Sequence, residues 1–162
     1  MAKRLILVRH AKSDWPDGVP DHERPLADRG RRDARELGRW LAASGVIPEI
    51  AYVSSAARAR ATFDLLAAEL DAQVEAVVTD DLYGASTGDL LDIVRGVRDD
   101  VTAVLVVGHN PAMGMLASVL DARQHGLLEF KTSAVAVFDV GESWGDVNPG
   151  GARLVASALP RA

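Results

Sequence analysis

At 162 residues, 48% hydrophobic and with a formal net charge of −5, the chain is long enough for one domain with a full core and lacks the basic footprint of a nucleic-acid binder. It has no cysteine, which excludes disulfides, thiolate catalysis and Cys-ligated zinc. No apolar stretch approaches the length of a bilayer span, and the positive start Met1-Ala2-Lys3-Arg4 precedes an apolar run too short for a secretory signal, so a cytoplasmic protein with no membrane partner is expected.

Short runs rich in Val and Ile alternate with longer segments of helical period, the pattern of an α/β layer fold. Strands are expected at residues 5–8, 50–53, 74–78, 104–107, 134–140 and 153–159, the last two joined hairpin-fashion through the Gly, Asn and Pro-rich residues 141–151. Between them, Asp28 can cap a helix carrying Ala34, Leu37 and Leu41 and ending near Ser44-Gly45. Residues 57–70 repeat the pattern with Ala61, Leu65, Leu66 and Leu70. Ser86 or Thr87 can cap a third helix turning Leu90, Leu91 and Val94 inward, and Pro111 can open a fourth containing Met115, Leu116 and Val119. The expectation is a single domain over residues 1–162: a three-layer α/β sandwich with a mostly parallel central sheet of about six strands and helices on both faces.

Ionisable residues gather where these strands end, which is where ligands bind in an open α/β sheet. Leu5-Ile6-Leu7-Val8 runs directly into Arg9-His10. Arginine presents a fixed fork of donors suited to phosphate oxygens, and a neutral imidazole beside it can act as nucleophile or base. The alternative for this pair alone is a salt-bridged Arg and a satisfied His. Val53-Ser54-Ser55 leads into a helix with Arg58 in its first turn, where guanidinium and free N–H groups can converge on one anion; an ordinary surface arginine is the plainer alternative. Arg60 falls on the opposite side. Ala103-Val104-Leu105-Val106-Val107 ends in Gly108-His109-Asn110-Pro111, which delivers His109, a catalytic or merely capping residue, to the same edge.

Taken in order, Arg9-His10-Ala11-Lys12-Ser13, Ser54-Ser55-Ala56-Ala57-Arg58-Ala59-Arg60-Ala61-Thr62 and Gly108-His109-Asn110-Pro111 resemble the motifs of the histidine phosphatase superfamily, over nearly the whole chain. The small size, Lys12-Ser13, Leu82-Tyr83-Gly84-Ala85-Ser86 and Thr132-Ser133-Ala134 are most similar to its SixA-type phosphohistidine phosphatase branch. The resemblance implies a phosphoglycerate mutase-like fold and a phosphatase that needs no metal or cofactor. It implies His10 as the nucleophile that becomes phosphorylated, with Arg9, Arg58 and His109 binding the phosphoryl oxygens and stabilising the charge of transfer. Ser13 and Asn110 are candidate substrate-binding residues beside a structural role for each. The surrounding cations are expected to keep His10 neutral.

One departure bears on substrate. Where many relatives that hydrolyse phosphate monoesters carry a glutamate that protonates the departing alkoxide, this chain has Gly84, with Asp80 or Asp81 as possible substitutes. Without an acid, a leaving imidazole is easier than an alkoxide, so phosphohistidine on a partner protein is the favoured substrate. A small phosphate ester is the runner-up. Two rivals remain: a metal-dependent hydrolase using His10 and His109 as ligands, disfavoured by the neighbouring arginines, and a non-catalytic phosphoprotein-binding module, disfavoured by an intact nucleophile. His22 and His125 are expected to be exposed, and Trp15 and Tyr83 to line a substrate mouth or close a core.

Overall fold

The computed structural model describes residues 2–123 and 129–162, so the expectation for His125 lies outside the described residues. The elements follow one another as β1 (Arg4–Arg9), α1 (Asp28–Ser44), β2 (Ile50–Ser54), α2 (Ala57–Ala67), β3 (Glu75–Thr79), α3 (Thr87–Arg95), β4 (Ala103–Gly108), α4 (Ala112–Leu120), β5 (Val135–Asp139) and β6 (Arg153–Ala158), with short 3-10 turns at Asp21–Glu23, Asp80–Leu82 and Trp144–Asp146. The six strands form one sheet in the order β3-β2-β4-β1-β5-β6. The pairings among β1, β2, β3 and β4 are parallel, whereas β5 runs antiparallel to both β1 and β6.

Central strands covered on both faces must be apolar at every position, and Leu5, Ile6, Leu7 and Val8 of β1 are all 0% exposed. Alternation divides them between two cores. Leu5 and Leu7 join Val104 and Val106 beneath α3 and α4, where Leu90, Leu91, Val94, Met113, Leu116 and Leu120 pack. Ile6 and Val8 join Leu105 and Val107 beneath α1 and α2, with Leu37, Leu41, Phe63 and Leu66. The result is the expected sheet between two helical layers. No helix among the described residues is long and apolar enough to cross a membrane.

Two local readings need correction, the cap of α1 and the end of α2. Asp28 is the first residue of α1 rather than its cap; Ala27 holds the cap position without a side-chain bond, while the Asp28 carboxylate pairs with Arg31 one turn on. In α4 the inward residues are Met113, Leu116, Ala117 and Leu120, which recur at the i, i+3, i+4, i+7 spacing of one helical face. Met115 and Val119 therefore stand out in solvent, 48% and 39% exposed. Finally, α2 ends at Ala67, short of the expected residue 70, although Leu70 is still buried. The remaining capping signals hold. Ser86 caps α3 in a reciprocal capping box with Asp89, and Gly45 closes α1 at φ 76°, a left-handed conformation that glycine adopts freely.

Register puts the ends of the strands at one edge. Arg9 pairs with Gly108, Val53 with Val107, Ser54 with Thr79, and Val8 with Val135. His10, His109, Ser55, Asp80 and Ser133 thus emerge side by side. Gly30 of α1 lets this helix approach the segment that follows His10, since a Cβ there would lie 2.0 Å from the Lys12 carbonyl oxygen.

Candidate active site

His10 is 6% exposed and is held from several directions. Its backbone N–H donates to the Gly108 carbonyl (3.1 Å), and the Ser133 N–H donates to the carbonyls of both Arg9 and His10 (3.2 Å each). The next residue is tied to α2, because the Ala11 N–H donates to Thr62 Oγ1 (2.9 Å) and that hydroxyl donates to the Arg58 carbonyl (2.7 Å). The ring Nδ1 lies 2.8 Å from the Ala11 carbonyl oxygen. A carbonyl can only accept, so Nδ1 carries the hydrogen and Nε2 keeps a lone pair. Burial pushes the His10 pKa down to about 3, opposed by the Ala11 bond and aided by His109, Arg58 and Arg9. The ring is neutral near pH 7 as expected, but burial is the larger cause and the surrounding cations the smaller.

His109 lies beside it, the ring centroids 5.0 Å apart. Burial, then Arg58, lowers its pKa to about 4. Its Nε2 is 2.7 Å from Ser54 Oγ at the end of β2. Its Nδ1 is buried and has no partner among the described residues. Arg9 reaches the Phe130 carbonyl at 3.4 Å through Nη1, and its pKa is lowered by burial and then by Arg58. Arg58, 7% exposed, donates through Nη1 to the Asp21 carbonyl (2.8 Å) and through Nη2 to the Asp21 carboxylate (3.1 Å). The buried side-chain N and O atoms without a partner among the described residues are Arg9 Nε, Arg58 Nε, His109 Nδ1 and Ser133 Oγ. Orphaned buried donors are rare and call for an explanation. Here three of the four belong to the residues expected to hold phosphoryl oxygens.

Ser13 and Asn110, the expected substrate-binding residues, are engaged elsewhere. The Ser13 hydroxyl accepts from Arg24 Nη2. Asn110 accepts the Gly114 N–H through Oδ1 (3.0 Å), bracing the start of α4, and donates through Nδ2 to the Phe130 carbonyl (2.7 Å). Arg60 is exposed, its Nε donating to the Ser55 carbonyl (2.9 Å). Among the described residues no three His, Cys, Asp or Glu side chains are grouped so as to hold a metal ion.

The rim joins Asp21 and Arg24, which the sequence does not single out, to Tyr83 and Trp15, expected to line a substrate mouth or close a core, and to His22. The Asp21 carboxylate accepts from Tyr83 Oη (2.6 Å), Arg24 Nη1 (2.8 Å) and Arg58 Nη2, and these bonds, the Tyr83 one first, hold it well below the usual carboxylate range. In return Asp21 raises the pKa of Tyr83. Arg24 is 6% exposed beneath the Trp15 ring, its Cζ 3.2 Å from the ring centroid, while Trp15 itself is 73% exposed. The three-residue spacing of Asp21 and Arg24 in a turn is the one signal that could have found this pair. Tyr83 stands edge-on to His109 at 5.9 Å and to His22 at 4.8 Å. His22 is half-buried rather than exposed, with Nε2 2.9 Å from Ser55 Oγ. Beside His109, Leu82, Tyr83, Gly84, Leu90 and Pro111 enclose a recess of about 180 Å³. A Cβ at Gly84 would meet nothing within 4 Å, and Asp80, its side chain 89% exposed, comes no closer to the ring of His22 than 4.0 Å.

Known proteins with the same plan can be set beside this geometry. Residues 5–94 match the histidine phosphatase superfamily (branch 1). An uncharacterized protein of Mycobacterium tuberculosis is 41% identical over 95% of this chain and 100% of its own. The structure of a putative phosphohistidine phosphatase SixA from Nakamurella multipartitia superposes with a TM-score of 0.85 at 30% identity, covering 100% of this chain and 98% of that one. A second solved structure, the protein histidine phosphatase SixA complexed with tungstate, gives a TM-score of 0.82 at 26% identity, with 97% of each chain covered. With its central sheet, its ordered motifs and these likenesses in agreement, the chain belongs to the histidine phosphatase superfamily and is of the SixA type.

Proposed function

We propose that this chain, acting as one domain over residues 1–162, is a phosphatase that removes the phosphoryl group from phosphohistidine on a partner protein through a phosphorylated His10. The observation that carries this reading is a neutral imidazole whose Nδ1 is fixed on the Ala11 carbonyl, with Arg9, Arg58 and His109 near enough to lower its pKa and each keeping one buried nitrogen without a partner. Nε2 attacks phosphorus in line with the departing group while these nitrogens take the equatorial oxygens, where charge spreads during transfer. The Ala11 carbonyl supports the positive charge that the ring gains. Because Nδ1 keeps its hydrogen, phospho-His10 later departs from phosphorus as a neutral ring when water attacks. No metal is needed for these steps, since two guanidiniums and a ring N–H supply the charge stabilisation.

This substrate is supported by the missing acid at Gly84 and by the similarity to SixA structures, one named as a putative phosphohistidine phosphatase and one as a protein histidine phosphatase. The test is dephosphorylation of a phosphohistidine protein beside a panel of sugar phosphates, nucleotides and simple alkyl phosphates. A preference of at least a hundredfold in kcat/KM for phosphohistidine is expected. A preference for one small ester would replace this substrate with a small-molecule one, and saturable phosphate binding without turnover of any substrate would leave only a binding module.

A further inference from the structure

Between the nucleophile and solvent the site presents a file of rings: His10, His109, Tyr83 and His22, with successive centroids 5.0, 5.9 and 4.8 Å apart. The last of them has no assigned role. His22 lies in the 3-10 turn Asp21–Glu23, with Nδ1 3.1 Å from Glu23 Oε1 and Nε2 2.9 Å from Ser55 Oγ. A carboxylate only accepts, so Glu23 fixes the hydrogen on Nδ1 and leaves Nε2 as the nitrogen that gains and loses a proton. The charged groups facing this ring are Glu23 and Asp80, whose Oδ1 is 4.0 Å from Nε2, with His109 beyond Tyr83. Three groups nearer His109 are unsuited to proton transfer. The Tyr83 hydroxyl is committed to Asp21, Asp21 is held ionised, and Gly84 has no side chain.

We propose that His22 is the proton-transfer residue of this site and that its place at the mouth favours an imidazole leaving group over an ester. The inference rests on the phosphohistidine reading above. In phosphohistidine the nitrogen that must be protonated lies across the ring from phosphorus, a full ring further toward the mouth than the bridging oxygen of an ester. A donor at the rim reaches the first and falls short of the second. In the first step the His10 Nε2–phosphorus bond forms and the substrate nitrogen–phosphorus bond breaks, its electron pair staying on the leaving ring. The proton on His22 Nε2 passes to the far nitrogen of that ring, which leaves as neutral imidazole. In the second step, with the leaving imidazole gone and the site open, water attacks phosphorus and gives one proton to solvent, and His10 departs with its electron pair on Nε2. Inorganic phosphate is released, and His22 at the mouth regains its proton from solvent. Ser55 is a positioning residue that holds the ring at the mouth.

The experiment compares free phosphohistidine with 2,4-dinitrophenyl phosphate, whose leaving group needs no proton. His22→Gln and His22→Ala should each lower kcat for phosphohistidine by about a hundredfold, the usual worth of a general acid, and for the aryl ester by no more than about threefold. Ser55→Ala should show the same bias at smaller size. Equal losses on both substrates would make His22 merely structural and overturn the assignment, as would wild-type turnover of phosphohistidine by both variants. Turnover of the aryl ester by the unaltered protein checks the phosphatase reading separately: its failure would sink that reading, while equal losses would sink the role of His22 alone.

Discussion

The candidate active site has two halves of different origin. Its inner wall, Arg9, His10 and His109, is carried directly on the ends of β1 and β4, two neighbouring central strands whose registered pairing runs to Arg9 and Gly108. Its rim, Asp21, His22, Arg24 and Tyr83, sits on loops held by side-chain bonds to one another and to Arg58, residues up to 62 positions apart in the chain. The wall is placed by the core, the rim by a polar network. The wall should therefore carry the chemistry and withstand local change, and the rim should tune orientation and leaving-group choice at lower energetic cost.

The sharpest break of this comparison is at His10. His10→Ala should abolish turnover while the circular dichroism spectrum stays that of the folded protein, because among the described residues no other buried imidazole has an unpartnered Nε2. Rapid quench with labelled substrate should trap phosphate on His10. Labelling at another residue, with the variant still active, would refute the nucleophile.

Next in size are the proposed phosphoryl donors. Arg9→Ala, Arg58→Ala and His109→Ala should each reduce kcat by about two to three powers of ten, the usual loss when one transition-state donor is removed, and double variants should lose less than the product. Tungstate or vanadate should compete with substrate in the parent protein and bind at least tenfold more weakly to each variant. A wild-type rate in Arg58→Ala would place the anion elsewhere.

How far each half was legible in the sequence has the same physical origin. Apolar runs ending in Arg9-His10 and Gly108-His109 announce both the strand and its exit, since four successive fully buried positions leave no other place for a charged neighbour than the edge. Arg58 was legible because a helix start after a strand is a local signal. Tyr83 was legible as a ring for the substrate mouth or the core, but its bond to Asp21 was not, because only the folded loops bring the two within 2.6 Å. Ser54 and Thr62 looked like ordinary polar residues until the register set one on His109 and the other under Ala11. The inward face of α4 was left open for a different reason. That helix is apolar nearly all round, so periodicity alone did not choose between Met113 and Met115.

The wall also leaves a mark on stability. His10 and His109 titrate at about 3 and about 4 in the fold, against an ordinary value of 6.5. Between these limits the unfolded chain takes up protons that the folded one refuses, so stability is unaffected above pH 6.5 and falls as the pH drops through that window. For His10 the loss should reach about 2–3 kcal/mol by pH 4.5, from two units at 1.36 kcal/mol each. Urea unfolding at pH 7 and pH 4.5 should show His10→Gln losing correspondingly less than the parent. An identical loss in both proteins would mean that His10 is not held neutral by burial.

On the rim, Asp21→Asn keeps the shape of the side chain and removes the charge that anchors Arg58, Arg24 and Tyr83. A loss of about tenfold in kcat/KM is expected, well below that of Arg58→Ala, because Arg58 keeps its bond to the Asp21 main-chain carbonyl. A rise in activity would give the opposite lesson, that the carboxylate competes with phosphate for the guanidinium.

The smallest effect expected is a gain, at the point where wall and rim meet. Gly84 borders the recess beside His109, and the space around it would admit a longer side chain. With no group there to protonate a bridging oxygen, the rate of His10 phosphorylation by esters must depend steeply on how readily the departing oxygen bears its electrons. A plot of log kcat/KM against leaving-group pKa for a series from phenyl to alkyl phosphates should therefore slope steeply downward in the parent protein. Gly84→Glu should flatten the slope and improve alkyl phosphates by a few fold to about tenfold, toward the low end of what a positioned acid contributes, while leaving phosphohistidine little changed. The new carboxyl must keep its proton to act, and the arginines nearby favour its ionised form, which is why the gain is modest. A flat slope in the parent would mean that Asp80 or Asp81 already reaches the ester oxygen, and the inference from a missing acid to an imidazole leaving group would fall with it.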